Sequence, residues 1–299
     1  MSNWQLLGRS SSVKAGSVAG LLLALAGSAA AAEPAVLIRW QVFEYPPYYI
    51  ASGPDKGKGL YDRFLRELIA DLPGFSHRVE TSNPTRTEAL MKRGEPLCAI
   101  SRLQTSERDS YSLFAQQAHL YGLPVQLIVT ERAGDAATTW IHDGRLSLDG
   151  LLQARSLRIG VVANRRFGDA IDKLLDRAAQ TPSPAVVRWA TSSLSADTPR
   201  LMAVDRFDAT LAYPSEYAQW QQTRTRFKRY PIAEAAHLIA ARISCANTPA
   251  GRALIAAIDQ LPPQRASLTQ LQADYEALLP AEDLDNYRQL VAIERGHAK

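Results

Sequence analysis

Between residues 36 and 100 the chain passes repeatedly from a short apolar run to a stretch with helical apolar spacing and back, an alternation that few folds can satisfy. Val36–Phe43 reads as a strand. Leu60, Phe64, Leu65, Leu68, Ile69 and Leu72 then recur at helical spacing until Pro73-Gly74 stops the helix. His77–Thr81 is the next strand, and Asn83 caps a second helix that has Pro84 in its first turn and Gly94 after its last. Leu97–Ile100 follows as a continuous apolar run, the pattern of a strand covered on both faces. Strand, helix, strand, helix, strand in this order predicts a parallel βαβαβ unit with right-handed crossovers.

The same alternation returns after Leu123–Thr130, an apolar strand that leaves the first unit. Leu148–Leu152 reads as a short helix, Leu157–Val162 as a strand, Phe167–Ala178 as a helix, Val186–Trp189 as a strand, Thr198–Val204 as a helix and Asp208–Tyr213 as a strand. Leu238–Cys245 is apolar again, and Thr248–Leu261, Ser267–Leu279 and Leu284–Ile293 read as closing helices. Two α/β units joined by two crossing segments is the plan of a hinged protein with a cleft.

In open α/β sheets ligands gather beyond the carboxyl ends of the strands. Ser101, Thr105 and Arg108 are expected just past Leu97–Ile100, and Arg108 is suited to grip a carboxylate or phosphate bidentately. A solvated Arg108 paired with Glu107 or Asp109 is the other reading of the same residues. The first strand runs into Glu44-Tyr45-Pro46-Pro47-Tyr48-Tyr49, where two prolines end the ladder and present tyrosine rings at a strand end. Those rings either cover a ligand or pack on their own unit. Arg165 and Arg166 are expected at the amino terminus of the Phe167–Ala178 helix, where free amides already favour an anion. A solvated pair beside Asp169 and Asp172 is the alternative. Tyr213 and Glu216 stand at another strand end, with core packing of Tyr213 an equal possibility.

Residues 1–32 have the form of a cleaved export signal: Arg9 and Lys14 before an apolar Gly16–Ala26, then small residues at Ala29–Ala32. An exported chain with two cysteines, Cys98 and Cys245, can close a disulfide, which would set Leu97–Ile100 beside Leu238–Cys245; two buried thiols are the alternative. The 34 Lys and Arg against 30 Asp and Glu, with Arg9 and Lys14 in the leader, are too balanced for nucleic-acid binding by bulk charge. His77, His119, His142, His237 and His297 show no metal-ligand spacing, and nothing calls for a cofactor. No nucleophile elbow, phosphate loop or triad order is present.

The stretch from Ile100 to Arg108, ISRLQTSER, leading to Phe114, resembles the G-x-T-x-T-x-E-R…F-S segment of bacterial solute-binding proteins family 3, and the order of elements matches over nearly the whole exported chain. The resemblance implies a two-lobed, type II periplasmic-binding-protein-like α/β fold, each lobe a mainly parallel sheet flanked by helices. Residues 33–121 with 237–299 would form one lobe and 122–236 the other, joined by two hinge segments. It implies Arg108 as the clamp for a ligand carboxylate, Ser101 and Thr105 beside it, Tyr45 as a stacking ring, and Arg165 or Arg166 on the second wall. The family's amino-acid receptors carry an acid where Tyr213 stands and no arginine pair. An anionic, carboxylate-bearing ligand is therefore expected instead of an amino acid, since a buried ammonium would lack its counter-charge. The implied partner of a monomeric receptor is an ABC-transporter permease or a membrane sensor. The rival reading is an exported lyase resembling cyclohexadienyl dehydratases, in which Glu44, Glu216 or His119 would supply the acid or base.

Overall fold

In a computed structural model, residues 36–181, 185–191, 193, 196–221 and 225–297 are described, apart from the side chains of Ser101 and His297. The expected export signal at 1–32 lies outside them. The first sheet is built from β1 (Val36–Val42), β2 (Phe75–Thr81), β3 (Leu97–Arg102), β4 (Ser112–Phe114) and β5 (Leu120–Gly122), completed by β13 (Ile239–Ala246). Strand order is β2-β1-β3-β13-β4, with β5 also paired to β13. β1 runs parallel to β2 and β3, whereas β13 is antiparallel to all three of its neighbours. The second sheet has order β10-β9-β11-β6-β12, from β6 (Gln126–Thr130), β9 (Ile159–Val162), β10 (Val186–Trp189), β11 (Ala209–Ala212) and β12 (Phe227–Pro231). Here β6 is the antiparallel strand. A small hairpin, β7 (Ile141–His142) with β8 (Arg145–Leu146), stands apart.

Helices cover these sheets because their apolar faces have nowhere else to go. α1 (Leu60–Ala70) buries Leu60, Tyr61, Phe64, Leu65 and Leu68. α2 (Pro84–Lys92) starts at Asn83, whose side chain accepts the Arg86 amide at 2.8 Å. α3 (Ser106–Asp109) is a single turn, α4 (Gly134–Thr138) is short, and α5 (Leu148–Ala154) and α6 (Asp169–Ala179) flank the second sheet. α7 (Asp197–Ala203) and α8 (Pro214–Trp220) complete that lobe; α9 (Pro249–Asp259), α10 (Ala266–Glu276) and α11 (Leu284–His297) return to the first. One core gathers Trp40, Phe64, Leu68, Ile100, Leu254 and Tyr287; another gathers Leu127, Ile159, Val161, Leu175 and Leu211. The chain passes between the sheets at 123–125 and again at 232–238, so the molecule is two-lobed.

Several sequence expectations shift here. β3 runs through Ser101 and Arg102, so Ser101 lies inside the strand, because pairing with β13 extends to Arg242 opposite Arg102. Leu123–Val125 stays out of β6 and forms the crossing. α6 begins at Asp169 after Gly168 at φ +106°, so Arg165 and Arg166 precede the helix and do not stand on its first turn. Asp172, in the first turn of α6, accepts the Phe167 amide at 2.9 Å and so ties the segment before the helix to it. β4, β5 and the hairpin are too short to leave a period in the sequence, and β12, FKRYP, carries two charges and a proline that mask it. Cys98 and Cys245 face one another across β3 and β13 and are joined in a disulfide.

Candidate functional site

The Pro46–Pro47 turn is held against α1 from below. The Leu60 and Tyr61 amides, which open the helix, donate to the Pro47 and Tyr48 carbonyls at 3.0 and 2.8 Å, and Asp62 accepts the Ile50 and Gly59 amides. Gly59 is required at this approach, since a Cβ would lie 2.4 Å from the Tyr48 carbonyl oxygen. The turn thereby fixes a ladder of rings, Tyr45 on Tyr48 at 4.8 Å and Tyr48 beside Tyr61 at 5.1 Å. Tyr48 reaches across the cleft, its hydroxyl 2.6 Å from the Ser215 hydroxyl of α8.

A cavity of about 90 Å³ lies behind these rings, between the carboxyl ends of β1 and β3 on one side and β9 and β11 on the other. Tyr45, Arg108, Arg165, Arg166 and Tyr213 all line it, together with Tyr48, Tyr61, Glu88, Arg102, Asn164 and Tyr275. Thr105 does not line it: its hydroxyl caps α3 by accepting the Arg108 amide at 3.3 Å. The Ser101 side chain lies outside the described residues.

On the first wall two guanidinium groups share one carboxylate. Arg102 donates to Glu88 at 3.3 and 2.9 Å, and Arg108 donates to Glu88 at 2.5 Å, while the Tyr111 hydroxyl also donates to it. Burial pushes the Glu88 carboxyl up, but the two cations outweigh burial and hold it below the ordinary value. Arg102 is lowered by burial and then by the Arg108 charge beside it. Arg108 also donates to the Leu103 carbonyl at 2.8 Å and across the cleft to the Asn164 carbonyl at 3.3 Å, yet its buried Nε has no partner among the described residues. That Arg108 is not solvated beside Glu107 or Asp109 follows from its burial, with 5% of its surface exposed.

On the second wall Arg165 donates to both Glu216 oxygens, at 3.1 and 2.5 Å, and to the Tyr45 hydroxyl at 3.0 Å. Its guanidinium lies 5.3–5.5 Å from the ring centres of Tyr45, Phe167 and Tyr213. Burial would lower the Arg165 pKa, but Glu216 and Tyr45 raise it above the ordinary value; burial also pushes Tyr213 up to about 12. Arg166 is paired with Glu107 at 2.5 Å and Asp176 at 3.2 Å. Further bonds cross the cleft from Asn164 to Thr85 at 3.0 Å and from Ser106 to Asp169 at 2.5 Å.

The acid or base candidates of the lyase reading sit elsewhere or are occupied. Glu44 accepts the Ala51 amide and the Ser52 hydroxyl in its own loop, and His119 is packed between Tyr61 and Phe64 in the first core. Glu216 is bonded to Arg165. Sequence reasoning missed Glu88 and Arg102. The signal was there: an arginine extending a buried strand requires a buried acid, and Glu88 lies one helical turn from Met91 on the covered side of α2.

No protein-family profile and no curated protein matches this sequence. Solved structures do match in fold. A putative L-cystine ABC transporter protein from Listeria monocytogenes superposes with a TM-score of 0.58 at 15% identity, over 83% of this chain and 97% of that one. A histidine kinase sensor domain with similarity to periplasmic binding proteins gives 0.57 at 16%, over 82% and 94%. The ancestral amino-acid-binding protein AncCDT-1, a precursor of cyclohexadienyl dehydratase, gives 0.54 at 12%, over 82% and 93%. The chain thus has the two-lobed fold of the periplasmic binding proteins. Among the described residues no helix is long and apolar enough to cross a membrane.

Proposed function

We propose that this chain is an exported solute-binding protein that takes a small, anionic, carboxylate-bearing organic molecule between its lobes and delivers its liganded state to an ABC-transporter permease or a membrane sensor. Residues 1–32 would be the export signal, 33–121 with 237–299 one lobe and 122–236 the other, acting as a monomer in the periplasm. The observation that carries this reading is one cavity lined from both lobes by Tyr45, Arg108, Arg165, Arg166 and Tyr213, with the Arg108 Nε buried beside it without a partner among the described residues. An unmet buried donor on a cation favours an anion that can satisfy it.

Binding proceeds by closure. A ligand that touches both walls shifts the open–closed equilibrium by its differential affinity for the closed form. The bonds from Arg108 to Asn164, Asn164 to Thr85 and Tyr48 to Ser215 fix the register in which the walls meet. Native mass spectrometry of the exported protein would identify what co-purifies, and titration would give its affinity. Arg108→Ala is expected to weaken binding by at least ~2 kcal/mol, roughly thirtyfold. An unchanged dissociation constant would place the site elsewhere.

A further inference from the structure

We propose that the cavity holds an apolar subsite on its hinge side, built by Phe43, Tyr48, Tyr61, Leu120, Ile239 and Tyr275, which takes the short hydrocarbon tail of an aliphatic carboxylate. The inference rests on the reading of this cavity as the ligand site and adds what that site selects beyond the acid group.

Charged and apolar groups enter the cavity from different elements. Its charged lining residues, Glu88, Arg102, Arg108, Arg165 and Arg166, belong to α2, β3, α3 and the link after β9. Leu120 and Gly122 come from β5, and Ile239 and Ala241 from β13. These are the strands at the two crossings, where Ile239 pairs with Gly122 and Ala241 with Leu120. β5 follows β4 along the side of β13 away from β3, so about 10 Å of sheet, two strand spacings, separates β5 from β3.

The tyrosines on the hinge side offer the cavity their rings. The Tyr48 hydroxyl is paired with the Ser215 hydroxyl at 2.6 Å, and the Tyr275 hydroxyl accepts the Leu123 amide at 3.0 Å. Phe43, Tyr48, Tyr61, Leu120 and Tyr275 are buried side chains of the first core, so this wall is held in place by packing, and most of the cavity surface is carbon. Gly122 keeps the space open: a Cβ there would lie 3.2 Å from the Tyr275 hydroxyl and 3.4 Å from Ile239 Cγ1. Against such a wall a methylene gains by leaving water, whereas a hydroxyl or a charge gives up its water for little in return. Size sets the rest. An engineered cavity of about 150 Å³ takes benzene, whereas the volume here is about 90 Å³, which leaves room for roughly six heavy atoms, an acid of about four carbons.

Acetate, propionate, butyrate, 3-hydroxybutyrate and benzoate test this on one acid group. Calorimetry on the exported full-length protein is expected to show affinity rising about fourfold per added methylene from acetate to butyrate. 3-Hydroxybutyrate and benzoate should each bind at least tenfold more weakly than butyrate, the first through its hydroxyl and the second through its size. Gly122→Ala sets a methyl between Tyr275 and Ile239 and should lower the butyrate-to-acetate ratio at least fourfold. A series that is flat with chain length, tighter binding of 3-hydroxybutyrate or benzoate than of butyrate, or a ratio unmoved by Gly122→Ala would overturn the inference. If Gly122→Ala does not fold, the series on the unmodified protein decides alone. Should none of these acids bind while Arg108→Ala weakens the co-purified molecule, the cavity remains the site and only the tail subsite falls. A co-purified molecule indifferent to Arg108→Ala removes both.

Discussion

His119→Phe should make this protein less sensitive to acid. The imidazole lies against the Phe64 ring at 5.2 Å and the edge of Tyr61 at 5.6 Å, 6% exposed, and neither ring nitrogen has a partner among the described residues. Burial, with the charges of Arg265 and Arg242 adding to it, lowers its pKa from 6.5 to about 3. In the unfolded chain the ring regains its ordinary value, so the unfolded state takes up the proton first and stability falls as pH drops from about 6.5 towards 3. At pH 5 the unfolded chain is favoured by about 1.5 pKa units, or about 2 kcal/mol. Phenylalanine removes this proton linkage. Any packing cost of the larger ring is the same at both pH values and cancels in the comparison. Urea unfolding of both proteins at pH 7.5 and pH 5.0 is the assay. The stability difference between variant and parent should move by about 2 kcal/mol in favour of the variant at the lower pH. An identical difference at both pH values would refute the argument, because it would mean that His119 protonates as readily folded as unfolded.

Breaking the Arg165–Glu216 pair from one side should cost about 3–5 kcal/mol, since a carboxylate with no exposed surface loses its counter-ion; in denaturant titration the double variant Arg165→Met/Glu216→Gln should recover much of that loss, and a double variant no more stable than the single one would deny the coupling. Replacing both cysteines by alanine opens a closure between residues 147 apart in sequence and should lower stability by up to about 5 kcal/mol, with reduction of the parent protein giving a shift of the same sign in its melting temperature.

Much of the fold could be read along the chain because burial on a sheet or a helix face leaves a period. β1, β2, α1, α2, β9, β10 and β11 all fall within a few residues of their expected places, and Asn83 and Thr248 cap the helices that follow them. Boundaries moved where pairing or a turn decided them, as at β3 and at the start of α6. Arg108, Arg165 and Arg166 were chosen for their chemistry, and the structure brings them to one cavity with Tyr45 and Tyr213. The burial of Glu88 and the strand-end place of Glu216 leave a local signal, but which arginine each meets does not: they are separated from those arginines by 14, 20 and 51 residues, and no local pattern links side chains across such distances.

The sequence by itself determined the alternation of strands and helices, the strand ends where polar groups gather and the pair of cysteines that can close, because each depends on neighbours within a turn or a pleat. Tertiary structure alone decided how the charges are balanced. Which arginine shares an acid, which has its own and which donor is left unmet depend on groups brought together only when two lobes fold and meet.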